Sequence, residues 1–251
     1  AGYWTSIPQS PADMMSKAMN GFFSSFNSAT LEYDPLRNIL ENHIDFERIR
    51  SESPFGLYIA ATQVSNGNAH IFTTTELTVD SVLASACLPF LSKSIVIDGE
   101  PYWDGGFSAN PAIRPVIYNS NTNDTLLIQL SSLNHFQLPS HIGNVRTHLN
   151  HLNFSQSLRR EIELIEAGRE VTKFGVTLND KARRLARHHF HLIDGSEVTS
   201  KQSPGSELTP EWNLLQTLFE EGRAYCDVFL HESRDKIGHC SSIDLKEHFD
   251  L

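Results

Sequence analysis

Ile95-Val96-Ile97-Asp98-Gly99-Glu100-Pro101-Tyr102-Trp103-Asp104-Gly105-Gly106 is the stretch on which the fold turns. Two short β-prone runs, Ile95 to Ile97 and Pro101 to Trp103, flank Asp98-Gly99-Glu100, and an Asp-Gly pair in that position is a strong hairpin signal. The second run ends on an acid, Asp104, followed by Gly105, Gly106 and the loop Phe107-Ser108-Ala109-Asn110-Pro111. Catalytic groups favour loops at strand ends, because the sheet holds them rigidly and leaves them accessible. Asp104 fits that description. Glycines after it permit positive φ and the close approach of another backbone. The competing reading is an ordinary Asp-Gly-Gly turn with no chemistry.

Outward from this hairpin the hydrophobic period alternates between strand and helix. Toward the N-terminus, Thr78 can cap a short helix through Val79, Val82, Leu83 and Cys87, which Pro89 stops. Leu57 to Ala61 reads as a buried strand, and Ser65-Asn66-Gly67-Asn68 turns it into the short strand Ala69 to Thr73. Asp34-Pro35 opens a helix with Leu36, Ile39, Leu40 and Ile44 on one face, ending near Asp45 to Arg48. Ser10-Pro11-Ala12-Asp13 opens another, with Met14, Met15, Ala18, Met19, Phe22 and Phe23 at helical spacing.

Toward the C-terminus, Ala112 to Tyr118 looks helical and Leu126 to Leu130 is a buried strand. A long, partly interrupted amphipathic helix is expected over Asn144 to Ala167. Phe190 to Ile193 reads as the last strand, Ser196 to Ser206 as loop, and Thr209-Pro210-Glu211-Trp212 as the start of a terminal helix reaching toward Leu230. Mixed strands and helices predict an α/β layered fold in a single domain spanning residues 1–251. No strand is legible before about residue 56, and open α/β sheets usually begin on a buried N-terminal strand. The expectation is therefore that N-terminal sheet strands are missing. Ala1-Gly2-Tyr3-Trp4, which has neither an initiator Met nor a signal-peptide pattern, reads as a cut edge.

Composition narrows the function classes. The chain has 251 residues, 39% of them hydrophobic, and a formal charge of -10. An acidic chain opposes the counterion-release attraction that nucleic-acid binding relies on, so nucleic acid is not an expected partner. Apolar runs such as Ser81 to Leu91 fall far short of the roughly 20 residues of a membrane helix. Three cysteines, Cys87, Cys226 and Cys240, have no CxxC spacing; neither a zinc site nor a disulfide framework follows, and a reducing, cytoplasmic compartment is the default.

Ala84-Ser85-Ala86-Cys87-Leu88-Pro89-Phe90, the stretch from Ile97 to Gly106, and Asn110-Pro111-Ala112 together resemble the bacterial patatin-like phospholipases. In that family a small-residue helix ending in Pro precedes a hairpin and a DGG or DGA loop that holds the catalytic Asp. Asp34-Pro35-Leu36-Arg37, Asp45-Phe46-Glu47-Arg48, Ala60-Ala61-Thr62 with Gly67, and Thr209-Pro210-Glu211-Trp212 extend the resemblance over most of the chain. It implies a patatin-like layered fold, with a central mixed sheet flanked by helices. It also implies a lipid acyl hydrolase with a Ser-Asp dyad, in which Asp104 takes the serine proton directly with no histidine between them. That task needs a carboxylate poised by partial desolvation. Gly105 and Gly106 complete the motif, and no metal or organic cofactor is implied.

The family's GxSxG nucleophile elbow and glycine-rich oxyanion loop do not occur between Ala1 and Leu251. The nearest match, Gly106-Phe107-Ser108-Ala109-Asn110, has Asn110 in place of the final glycine, and Ser108 lies too close in sequence to Asp104 to face it in the usual way. The nucleophile is expected outside the chain. Two alternatives stay open: a non-catalytic lipid-binding or scaffold protein of the same fold, and a hydrolase of storage polyesters or small esters. Expected partners are a lipid or ester substrate, with contact at a membrane surface left open.

Three further patterns each carry two readings. His188-His189-Phe190-His191 with Asp194 could bring imidazoles together at i and i+2 around a metal, against the plainer reading of a partly exposed strand with alternating faces. Lys181, Arg183, Arg184 and Arg187 could meet anionic headgroups, against a solvated helix face. The apolar face from Met14 to Phe26 could be an interfacial lid, against ordinary core packing.

Overall fold

The computed structural model describes residues 34–89, 92–131, 142–173, 179–201 and 211–251, with main chain alone for 142–151. The helix and apolar face expected between Ser10 and Phe26 lie outside the described residues, as do Thr209 and Pro210. The chain divides into two compact units, Ala1–Gly105 and Gly106–Leu251.

The first unit is built on an antiparallel sheet. Helix α1 (Pro35–His43) starts where Asp34 accepts the Arg37 N–H at 3.1 Å, the cap expected from Asp-Pro. It stops earlier than its apolar stripe suggests, because Asp45 starts a new helix, α2 (Phe46–Glu52), by accepting the Arg48 N–H at 2.9 Å. Strands β1 (Tyr58–Gln63) and β2 (Ala69–Thr73) form the expected hairpin, in register Tyr58 with Thr73 and Thr62 with Ala69. Helix α3 (Val79–Ser85) begins on a reciprocal cap: Thr78 Oγ1 accepts the Ser81 N–H, and Ser81 Oγ accepts the Thr78 N–H.

Strands β3 (Ile95–Ile97) and β4 (Glu100–Asp104) then pair across Asp98 and Gly99. Both loop residues have positive φ, 52° and 83°, the requirement of a type I′ turn whose twist matches that of the flanking strands. The sheet order is β2-β1-β4-β3, so β4 is an inner strand. Ala61, Phe72, Leu77, Ala84 and Tyr102 make its buried core, with Ile95 and Ile97 packed against them.

The second unit is helical around two parallel strands. Helix α4 (Ile113–Asn119) leads to β5 (Asp124–Gln129); then come α5 (Ile142–Lys173), α6 (Asp180–Arg187) and β6 (His189–Asp194). Strands β5 and β6 pair in parallel, Asp124 opposite His189 and Gln129 opposite Asp194. Parallel neighbours need a long crossover, and α5 with α6 supplies it. Helix α5 runs uninterrupted, longer at both ends than expected. Ile162 and Ile165 bury its inner face against Ile113, Ile117, Leu127, Leu185, Phe190, Leu245 and Phe249. Ser196–Ser200, read from sequence as loop, is a short helix α7, followed by α8 (Trp212–Ser233) and a closing helix α9 (Leu245–Phe249).

The mixed α/β class is as expected. Among the described residues the strands fall in two sheets, the hairpins forming the antiparallel one and the helical crossover the parallel one.

Candidate active site around Asp104

Asp104 is the last residue of β4, half-buried, and stands opposite Ala61 in the β1 register. Its main chain is held from two sides. The N–H donates to the Cys87 carbonyl at 2.9 Å, in the turn that follows α3. The carbonyl accepts the Thr62 hydroxyl of β1 at 2.7 Å. Each contact comes from an element that is itself fixed: Thr62 is 5% exposed and Cys87 3%. The Cys87 thiol also donates to the Lys93 carbonyl at 3.0 Å, tying the turn closed across its own loop.

Gly105 follows with no space for a side chain. A Cβ there would lie 2.1 Å from the Ala60 carbonyl oxygen and 2.6 Å from its carbon. Positive φ and close backbone approach are the two reasons for glycine at these positions. Close approach is the operative one at Gly105, since the positive-φ glycines among the described residues are Gly67, Gly99 and Gly238. The approaching backbone is β1 of the same unit. Gly106 is buried as well, within the 3-10 turn Gly105–Phe107.

Ser108 does not stand on a nucleophile elbow. An elbow carries its serine on the turn that joins a strand directly to a helix. Here β4 ends at Asp104 and α4 begins at Ile113, with the 3-10 turn and further loop residues between them. Ser108 is half-buried in that connection.

The two histidines of β6, His189 and His191, do converge, on a carboxylate. Asp124, across the parallel ladder, meets His189 Nδ1 at 3.3 Å and His191 Nε2 at 3.1 Å, and accepts the Gly238 N–H at 2.8 Å. His191 Nδ1 continues to Ser242 Oγ at 3.1 Å. Burial opposes ionisation of Asp124, but hydrogen bonds from Gly238, His191 and His189 outweigh it and hold the carboxyl below its ordinary range. His188 points elsewhere, its Nε2 2.7 Å from Thr125 Oγ1, and burial pushes its pKa down to about 4. The plainer reading of a partly exposed strand holds for most of β6, four of whose six residues are half-buried, whereas His191 and the preceding His188 are only 1% and 2% exposed. Asp194 lies apart from the convergence and accepts the Ser196 N–H at 2.9 Å. Among the described residues no group of three or more His, Cys, Asp or Glu side chains stands close enough to hold a metal ion.

The basic cluster lies on α6 and engages its own unit. Arg183 pairs with Asp180 at 2.6 Å, Lys181 sits 5.3 Å from the Tyr118 ring centre, and Arg184 donates to the Thr122 carbonyl. Among the described residues no helix is long and apolar enough to cross a membrane.

Thr62 and the Cys87 carbonyl are the contacts that residue-by-residue reading did not assign. Both fall in stretches that carry the family resemblance. The available signal was a polar residue that follows the apolar run Leu57 to Ala61 on the same strand. No curated protein matches the chain. Residues 8–117, which include α1 to α3, the antiparallel sheet, Asp104 and both glycines, match the model of the family Patatin-like phospholipase.

Proposed function

We propose that Asp104 is the general base of a Ser-Asp dyad in a lipid acyl hydrolase, acting on a serine that lies outside these 251 residues. The observation that carries the reading is the placement of this acid within the matched family stretch: half-buried, at the end of an inner strand, its main chain held by Thr62 and Cys87. A carboxylate held in this way can accept a proton repeatedly without the main chain re-forming around it.

In the proposed reaction the serine hydroxyl attacks the ester carbonyl carbon while Asp104 takes its proton. Collapse of the tetrahedral intermediate breaks the ester C–O bond, and Asp104 returns the proton to the leaving alcohol. Water, deprotonated by the same carboxylate, then attacks the acyl carbon; the serine O–acyl bond breaks, the acid leaves, and Asp104 returns the proton to the serine. Main-chain N–H groups of a glycine-rich loop would stabilise the oxyanion. The chemistry calls for no metal or organic cofactor, and the substrate class is a carboxylic ester in a lipid.

The test uses the full-length protein that carries the serine. Asp104→Asn and Asp104→Ala are expected to lose at least about 1000-fold in kcat on a medium-chain p-nitrophenyl ester and on phospholipid vesicles, in line with loss of an essential base. Circular dichroism of both variants should match the parent. Turnover within tenfold of the parent removes Asp104 from the reaction.

A further inference from the structure

We infer that Thr62 is a positioning residue for the Asp104 carboxylate, an inference that rests on the general-base reading above. The observation is one hydrogen bond and its surroundings. Asp104 closes β4, and the chain leaves the strand at Gly105 into a 3-10 turn. A carbonyl at a strand end is where the ladder stops supplying partners. The Asp104 carbonyl is met there by a side chain, the Thr62 hydroxyl at 2.7 Å, from the strand that also carries Ala61 opposite Asp104.

The donor is 5% exposed, so water has little access to replace it. Its rotamer is restricted because threonine is β-branched. On the other side of the same residue the Cys87 carbonyl holds the Asp104 N–H at 2.9 Å. Gly105 cannot move toward β1, since the space a Cβ would need is already filled by Ala60. The peptide planes on both sides of the Asp104 Cα are thereby fixed, and with them the direction in which its side chain leaves the main chain. Of these constraints, the Thr62 hydroxyl is the one that a side-chain substitution can remove without altering Asp104 or the glycines.

In this scheme Thr62 acts through the Asp104 main chain. Its removal should therefore alter the rate of proton transfer while leaving substrate capture in place. Thr62→Val keeps the branched shape and deletes the donor, leaving a carbonyl short of its partner. In the full-length protein on a p-nitrophenyl ester, kcat per site titrated with a fluorophosphonate is expected to fall roughly 10- to 100-fold, the scale of an ångström-level misplacement. KM should change by less than about twofold, and Thr62→Ser should recover most of the loss. Normalising to titrated sites removes any effect of a smaller folded fraction.

The outcomes separate the two readings. Thr62→Val with parental kcat, alongside an inactive Asp104→Asn, overturns the role of Thr62 and leaves the base in place. An active Asp104→Asn overturns both. Should Thr62→Val fold poorly, Thr62→Ser decides: it retains the donor, and a kcat as low as that of Asp104→Asn overturns the inference.

Discussion

Replacing Gly105 by alanine tests the geometry of the site most directly, because the conflict is with main chain. The new Cβ would stand 2.1 Å from the Ala60 oxygen, 2.6 Å from its carbonyl carbon and 2.9 Å from its Cβ, where real Cβ atoms essentially never come within 3.0 Å. Relief at the oxygen alone requires a shift of 3.0 − 2.1 = 0.9 Å. Neither side can supply it cheaply: β1 is hydrogen-bonded to β2 and β4, and Ala61, next to the obstruction, is fully buried. Overpacking of this kind costs about 1–3 kcal/mol, and a main-chain obstacle puts the cost toward the upper end. Alanine also restricts the unfolded chain, which returns about 0.4–1 kcal/mol, so a net loss of about 2 kcal/mol is expected.

Gly168→Ala is the matched control. It sits inside α5 with nothing within 4 Å of the added atom, and should stabilise by about 0.5–1 kcal/mol. Urea denaturation followed by circular dichroism measures both. If Gly105→Ala lies within about 0.5 kcal/mol of the parent, or tracks Gly168→Ala, the close approach of Gly105 to β1 is wrong and the rigid setting of Asp104 loses its main support.

The buried histidine between α6 and β6 predicts a pH dependence of stability. His188 has its pKa depressed from 6.5 to about 4, so the unfolded chain takes up a proton at higher pH than the folded one. Its contribution is fully present above about pH 6.5 and is lost as pH falls toward 4, by up to about 3 kcal/mol at 1.36 kcal/mol per pK unit. Urea denaturation at pH 7.5 and pH 5 should show a steeper loss for the parent than for His188→Gln, and equal slopes refute the assignment. The 251-residue chain by itself is expected neither to hydrolyse an activated ester nor to react with a fluorophosphonate; mass-spectrometric labelling at Ser108 would falsify that expectation.

Local chemistry made much of the first unit legible. Asp98-Gly99 specified a two-residue turn because both positions need positive φ, and Asp34 and Thr78 announced helices through side chains that cap them. Asp104 could be placed at a strand end for the same reason, since the turn fixes where β4 begins. What stayed hidden depends on residues far apart in sequence. Thr62 meets Asp104 across 42 residues, and Asp124 gathers His191 across 67. The burial of His191 within a histidine-rich run therefore does not show until the carboxylate it meets is known. The boundary between α1 and α2 was missed differently. The apolar stripe of α1 leads toward the next helix, and only the Asp45 cap marks the break.

The two observations about Asp104, its clamped main chain and its crowded neighbour Gly105, constrain the proposed mechanism jointly. An acid on a flexible loop could follow a serine through the reaction, and substitutions near it would be absorbed by small main-chain shifts. Asp104 has that freedom removed at its N–H by Cys87, at its carbonyl by Thr62, and on the β1 side of the next residue by Ala60. In the dyad reading, the base is thus set before substrate binds, and any adjustment needed to reach in-line geometry falls to the serine and the ester. Two kinds of substitution should then separate: those at Thr62 or Gly105 act by moving the base and lower kcat, whereas those that line the ester's path change KM. If Thr62→Val and Gly105→Ala instead raise KM with kcat intact, the fixed element is serving substrate binding, and the setting of the Asp104 main chain is not what turnover depends on.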